Sequence, residues 1–244
     1  NSISLEELNS LLYGYKRNKG LLIFVGFAFG FGMFLFFLGY QIAGAINGSL
    51  AQKSALFFSL LFGFLILREK ISKKQILFSV LLFFGLFLAV TQGSFNLLEF
   101  NAGVLILIIL ACIWVFTHTI SKPMLNRREA TAIQMVCMRN AIGGFILITI
   151  YLLFFSTENL YIFSDPMNYF WFIAMGIVYG SGLYCWYKTL TYLDISKASI
   201  LVAATPIITA IFAIMFLGEN FTIFHLIGTS IVIFSIIMIV SEVK

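Results

Sequence analysis

Gly26-Phe-Ala-Phe-Gly-Phe-Gly32 and Gly176-Ile-Val-Tyr-Gly-Ser-Gly182 carry their glycines in one pattern. A step of 150 residues takes Gly26, Gly30 and Gly32 onto Gly176, Gly180 and Gly182. The same step takes Ser49 onto Ser199 and Val90 onto Val240. It also takes Leu67 and Glu69, in Leu-Arg-Glu, onto Leu217 and Glu219, in Leu-Gly-Glu. A block of three apolar helices is therefore present twice, without a gap. In a membrane chain such duplication is the usual mark of a transporter built from two related halves.

Composition fixes the solvent. Of 244 residues, 61% are hydrophobic and 10% charged, and the mean hydropathy is +1.03. A soluble domain is nearer about 45–50% apolar and about 25% charged. No water-soluble fold hides this much apolar surface, so the surroundings are lipid. Alternating strand patterning is absent, which argues against a β-barrel. The net charge of +5 does not indicate a nucleic-acid partner, because the basic residues are spread among short loops. Cys112, Cys137 and Cys185 lie inside apolar runs without metal-ligand spacing and read as buried thiols. No cofactor or metal is expected.

A helix needs about 20 apolar residues to cross the hydrocarbon core. Eight candidate spans emerge, near 20–42, 48–67, 73–91, 101–121, 131–155, 168–190, 196–217 and 222–241. The first two are separated only by 43–47 and should form a helical hairpin. Residues 1–19 are too polar for a span or a signal peptide. All of the 15 Lys and Arg except Lys53 and Arg139 fall on one side of an eight-span chain, while the opposite loops carry Glu99, Glu158, Asp165 and Glu219. By the positive-inside rule the basic side is cytoplasmic, and both ends lie there. The first copy of the repeat then enters from the cytoplasm and the second from outside. The copies are inverted, an arrangement suited to alternating access around a midplane site.

The residues resemble a family. Ala-Thr-Pro (204–206), Phe-Leu-Gly-Glu (216–219) and the last apolar span are similar to the repeat of the EamA-type drug/metabolite transporters. Leu-Arg-Glu-Lys (67–70) with the span after it resembles the same signature, and Trp114 resembles a tryptophan common in the opening helix of that family's second repeat. The resemblance implies an all-α polytopic membrane protein with inverted structural repeats. Residues 1–19 would be a cytoplasmic N-terminal segment, 20–91 a partial first repeat of three helices, and 101–241 a complete second repeat of five. That family typically has ten spans, so two N-terminal helices would be absent here, in a fragment or in a shortened relative. The resemblance implies an exporter, exchanger or facilitator of small organic metabolites. It would sit in a prokaryotic plasma membrane, and a homodimer would be compatible with it.

Two basic residues lie within spans. Lys53 is near the outer end of the second and Arg139 near the middle of the fifth. A charge in lipid costs at least about 2.5–3.5 kcal/mol and usually faces a cavity or a partner. The functional reading is a cationic path for a carboxylate or phosphate group, as on an amino acid. Against it stand snorkelling for Lys53, and, for Arg139, a structural bond to helix carbonyls or to a partner on absent helices. Arg139 also resembles an arginine often seen in this helix of the family. Pro206 removes a backbone donor and frees the Val202 carbonyl, so it shapes a central site or is a tolerated kink. Trp114 and Tyr184 are further path candidates, with Phe31, Phe34, Tyr179 and Trp186; most of the 29 Phe must simply face lipid or other helices. The paired glycines serve helix packing. His118, His225, Glu69 and Glu219 sit at span ends and read as interfacial hydrogen-bonding groups.

No Asp or Glu sits in mid-membrane, which favours facilitated diffusion or exchange over proton antiport. Two other classes compete. A non-transporting scaffold or receptor is disfavoured by the inverted repeat. An intramembrane enzyme would need motifs that are missing: Tyr179 stands where a Gly-x-Ser-Gly run before Gly182 would need its first glycine, and no His-Glu-x-x-His occurs.

Overall fold

The computed structural model describes residues 5–68, 71–94, 101–193 and 205–241, with side chains from Tyr13 onward except at 240. Glu69, Lys70, Glu99, Lys197, Ser199, Val202 and Lys244, and the side chain of Val240, lie outside the described residues.

Every regular element among them is helical: α1 (Leu5–Ala43), α2 (Ala45–Ala51), α3 (Ala55–Leu67), α4 (Lys73–Val90), α5 (Ala102–Asn126), α6 (Ala132–Phe154), α7 (Pro166–Leu190), α8 (Thr205–Phe212) and α9 (Ile223–Ser241). Short 3-10 segments cover Gln52–Ser54 and Thr157–Ser164, and a π turn covers Ala213–Leu217. In lipid a helix satisfies its own backbone donors and acceptors, and this explains the monotony. Among the described residues, five stretches are long and apolar enough to cross a membrane: Tyr13–Ala43, Ala45–Leu67, Lys73–Val90, Ala102–Asn126 and Ala132–Phe154. Thr205–Leu217 and Ile223–Ile239 are apolar but shorter. The 25 residues of α7 suffice in length, but its tyrosines, tryptophans and glycines dilute its hydropathy.

Polar caps set several boundaries. The Ser72 hydroxyl accepts from the Gln75 N–H (3.1 Å) while the Gln75 side chain accepts from the Ser72 N–H (2.8 Å). Thr131 and Gln134 repeat this capping box at the start of α6. Asp165 caps α7, with Pro166 in its first turn. The sequence boundaries shift in two places. Residues 5–19 are helical and continuous with the first span, because strong helix formers there meet no proline or cap. The turn expected over 43–47 is a single non-helical residue, Gly44, at φ +79°.

The chain divides into two compact units. The first comprises Asn1–Met33 and Ser121–Leu193, the second Phe34–Ile120 and Asp194–Lys244. In the first, α1 meets α6 through glycine. A Cβ at Gly30 would stand 2.7 Å from the Gly143 Cα, and one at Gly26 would stand 2.6 Å from the Ile142 side chain.

In the second unit, α4 packs on α9. Gln75, Ser79, Leu82, Leu86 and Ala89 are buried on α4. Their counterparts 150 residues on, His225, Thr229, Val232, Ile236 and Ile239, are buried on α9. The two helices run antiparallel: Gln75 Nε2, at the start of α4, donates to the Ile239 carbonyl at the end of α9 (3.3 Å). Near the middle, a Cβ at Gly228 would stand 2.5 Å from the Gly85 carbonyl oxygen. Lipid is as apolar as leucine, so such a seam is held by close packing and not by exclusion of water.

The duplicated signatures also end their helices alike. Arg68 closes α3 at φ 58°, ψ 32°, and Gly218 follows the π turn after α8 at φ 65°, ψ 23°. A left-handed conformation costs an L-residue roughly 1–2 kcal/mol, and glycine's looser unfolded chain offsets part of that. Arg68→Gly is therefore expected to stabilise the protein by about 0.5–1 kcal/mol, read as a higher melting temperature in detergent. An unchanged or lower one would contradict the left-handed cap.

Candidate functional site

In the first unit, Arg139 lies two turns into α6 and is 5% exposed. Its guanidinium carbon stands 3.6 Å from the centroid of the Phe29 ring on α1. Its Nη2 donates to the Tyr179 hydroxyl on α7 at 2.7 Å, and that hydroxyl donates to the Met33 sulfur at 3.4 Å. Tyr187, two turns beyond Tyr179 on α7, is fully buried. Phe29 of α1 and Tyr179 of α7 thus meet the one cation on α6. Among the described residues no carboxylate pairs with it; the ion pairs there are those of Glu129. A desolvated cation over an aromatic face gains about 2 kcal/mol, which offsets burial without cancelling the charge. A planar guanidinium so held can offer its remaining N–H groups to a carboxylate or phosphate.

The contacts printed for Arg139 are thus to aromatic side chains on α1 and α7. Tyr179 was legible as an aromatic candidate, whereas Phe29 was not. Tyr184 is 39% exposed and makes no hydrogen bond or ring contact among the described residues. It is not brought to Arg139, whereas Tyr179 is. Cys137 and Cys185 are exposed and Cys112 half-buried, which corrects the reading of buried thiols. Apolar runs in lipid need not turn inward, so their composition does not report burial within the protein.

The second unit holds Lys53, Trp114 and Pro206. Lys53 is half-buried in the 3-10 turn Gln52–Ser54 that separates α2 from α3. Beside it the Ser54 hydroxyl is buried without a hydrogen-bond partner among the described residues. Gln52 Nε2 donates to the Leu107 carbonyl of α5 (3.2 Å). Trp114 stacks on Phe36 of α1, with centroids 5.6 Å and planes 23° apart. Pro206 is buried on α8. It has no N–H to give residue 202, and Val202 is outside the described residues. The step of 150 equates 52–54 with 202–204. The first copy therefore carries an irregular turn near the place where the second carries proline, though Leu56 replaces Pro206 there. Mid-helix 3-10 turns often mark hinges.

A polar corner adjoins this. The Glu219 carboxylate accepts from the N–H groups of Ala45 (2.5 Å) and Ile46 (2.9 Å), at the positive end of α2. Gly44 keeps the approach open, since a Cβ there would stand 3.2 Å from Glu219 Oε1. His225 accepts at Nδ1 from the Thr222 N–H (3.2 Å), and its Nε2 lies 3.2 Å from Asn47 Oδ1. Thr222 in turn donates from its hydroxyl to Gln92. These contacts specify what interfacial hydrogen bonding means for Glu219 and His225.

In the first unit, Glu129 accepts from Asn18 (2.7 Å) and pairs with Arg17 (3.0 Å) and Arg127 (3.2 Å). The Asn18 hydrogen bond, helped by the two arginines, holds the Glu129 carboxyl below the usual range.

Apolar helices of spanning length, a duplicated buried face and a cation set among aromatic rings define a polytopic membrane protein of duplicated architecture. The EamA-like transporter family matches residues 6–91 and 101–241, and the chain belongs to that family. It is 25% identical over 214 residues to an uncharacterized transporter, YyaM, of Bacillus subtilis (strain 168), covering 86% of this chain and 68% of that protein. It is 27% identical over 195 residues to an uncharacterized transporter of Methanothermobacter thermautotrophicus, covering 78% of this chain and 54% of that one. The matched region is thus only part of each relative's length.

Glu219→Ala should cost about 1–2 kcal/mol by stripping the cap from α2, measured as lost thermal stability, with Glu219→Gln intermediate; no loss would contradict the cap. For Glu129 the sign follows from its lowered pKa. Its contribution is present above the ordinary carboxyl range and is lost as pH falls through it. Glu129→Gln should therefore flatten the acid limb of the stability profile, and an unchanged limb would dismiss this cluster as its source.

Proposed function

We propose that this protein carries small organic metabolites across the membrane by alternating access between inverted repeats, as an exporter, exchanger or facilitator. Family membership supports a transport role, and the antiparallel seam between helices 150 residues apart supports inversion. On this reading the chain crosses eight times, with both ends cytoplasmic in a prokaryotic plasma membrane. The two relatives are bacterial and archaeal. Both relatives carry the name of transporter, which is not an enzyme class, and this supports a non-enzymatic reading.

The observation that carries the substrate reading is Arg139. A cation buried among aromatic rings, with no carboxylate partner among the described residues, suits a substrate bearing a carboxylate or phosphate. Lys53, at the irregular turn in the second unit, is the second cation of the path. Trp114, Tyr184 and Pro206 remain its other proposed residues. A scaffold or receptor would bind without flux, so flux is the test.

In proteoliposomes, Arg139→Ala should lower uptake of a carboxylate-bearing substrate by about 10-fold or more, the loss of a charge-assisted hydrogen bond being worth about 1.5–3 kcal/mol. Arg139→Lys should recover only part of it. Lys53→Ala should weaken anion transport with insertion intact. Undiminished flux in Arg139→Ala would remove the anion assignment, and absence of flux in the wild type for any carboxylate or phosphate ester tried would favour the scaffold.

A further inference from the structure

We infer that His225 is a proton-binding latch, whose neutral ring ties the starts of α2 and α9 to the end of α4 and whose protonation releases them. The argument lies within the second unit and is independent of substrate, flux and sidedness. His225 is 5% exposed and stacks on Phe221, with centroids 5.6 Å and planes 22° apart. Each ring nitrogen faces a donor. Nδ1 stands 3.2 Å from the backbone nitrogen of Thr222, and Nε2 stands 3.0 Å from Gln92 Nε2. Neither donor can turn into an acceptor. The first is a backbone amide. The second is fixed in orientation by the Ala89 carbonyl, to which it donates at 2.8 Å. A neutral ring has one lone pair and one N–H, so it accepts from Thr222 at Nδ1 and donates from Nε2 to Asn47 Oδ1 (3.2 Å). An imidazolium carries hydrogen on both nitrogens and sets both against donors. Thr222 is the joint of this cluster: its hydroxyl accepts from the His225 N–H (3.3 Å) and donates to Gln92 Oε1. Gln92 sits at φ 52°, a backbone conformation that L side chains rarely adopt. The cluster thus holds a strained residue that relaxes once Thr222 lets go. Toward the ring, α2 and α4 present the neutral amides of Asn47 and Gln92. The charged group of the same corner is Glu219, and the amides of Ala45 and Ile46 already engage its carboxylate. Histidine is the side chain whose ordinary titration falls within the physiological range, so proton activity sets the latch.

The test uses the full chain in lipid nanodiscs, with Cys112, Cys137 and Cys185 replaced by alanine. Spin labels are placed on Gln41→Cys, at the end of α1, and Ile223→Cys, at the start of α9, both exposed positions. An ordinary histidine titrates near about 6.5, so the label distance is read from about pH 8 down to about pH 5. A second, longer-distance population is expected to grow several-fold on acidification. His225→Gln, whose side chain stays neutral, should keep the high-pH distribution throughout. The ring nitrogen signals of the two histidines, assigned with His118→Gln, are titrated in parallel. His225 should be neutral at the upper pH and gain its proton with the same midpoint as the distance change. This second reading decides the matter if His225→Gln does not fold. Three results would overturn the inference: a distance distribution indifferent to pH, an equal change in folded His225→Gln, or a ring titration whose midpoint differs from that of the distance change.

Discussion

The antiparallel seam of α4 on α9 is the contact from which the second unit is built. Its middle is close backbone approach at Gly85 and Gly228, and its flanks are interdigitated Leu, Val and Ile. Each end is polar and satisfied: Gln75 reaches a carbonyl at one, and His225 joins Thr222 and Asn47 at the other. Because the helices oppose each other, the end of α4 lies beside the start of α9. That adjacency brings Gln92 to Thr222. The loop that leads into α9 also carries Glu219 to the amides of α2. One packing choice therefore fixes a corner made of three separate chain segments.

The first unit solves a different problem. Arg139 must be held inside a helical layer without a neutralising carboxylate among the described residues. The protein uses the faces of Phe29 and Tyr179 and one phenol oxygen. Rings orient the guanidinium plane and lower its burial cost while leaving a net positive potential. A paired carboxylate would have cancelled that charge.

Much of the architecture is legible in the chain because its causes are local. Ser72 with Gln75 and Thr131 with Gln134 announce helix starts, and Asp165-Pro166 announces another. The repeat is legible because burial on α4 and α9 follows it residue by residue. Other features depend on tertiary partners and leave no local mark. Phe29 is one of 29 phenylalanines, and only the crossing of α1 and α6 singles it out. The 3-10 turn at Gln52–Ser54 has no proline or glycine to betray it. Tyr179 and Tyr184 share one helix, and in a helix this aromatic no local mark tells which of them meets Arg139. Exposure of Cys137 and Cys185 was hidden for a related reason: hydropathy that elsewhere separates inside from outside loses its meaning when the solvent is oil.

Arg68 and Gly218 adopt nearly the same left-handed geometry at equivalent helix ends, yet only one of them is the residue that geometry favours. On the proposed topology Arg68 lies at the inner surface, where its charge helps decide which way the hairpin inserts, and Gly218 lies at the outer surface, where a cation would oppose that decision. On that topology the two copies of the signature differ where the two faces of the membrane differ. One copy tolerates backbone strain to retain a topogenic charge, and the other gives up the charge and relaxes. Divergence between the halves of an inverted repeat can therefore record the asymmetry of the membrane itself rather than any difference in what the halves do.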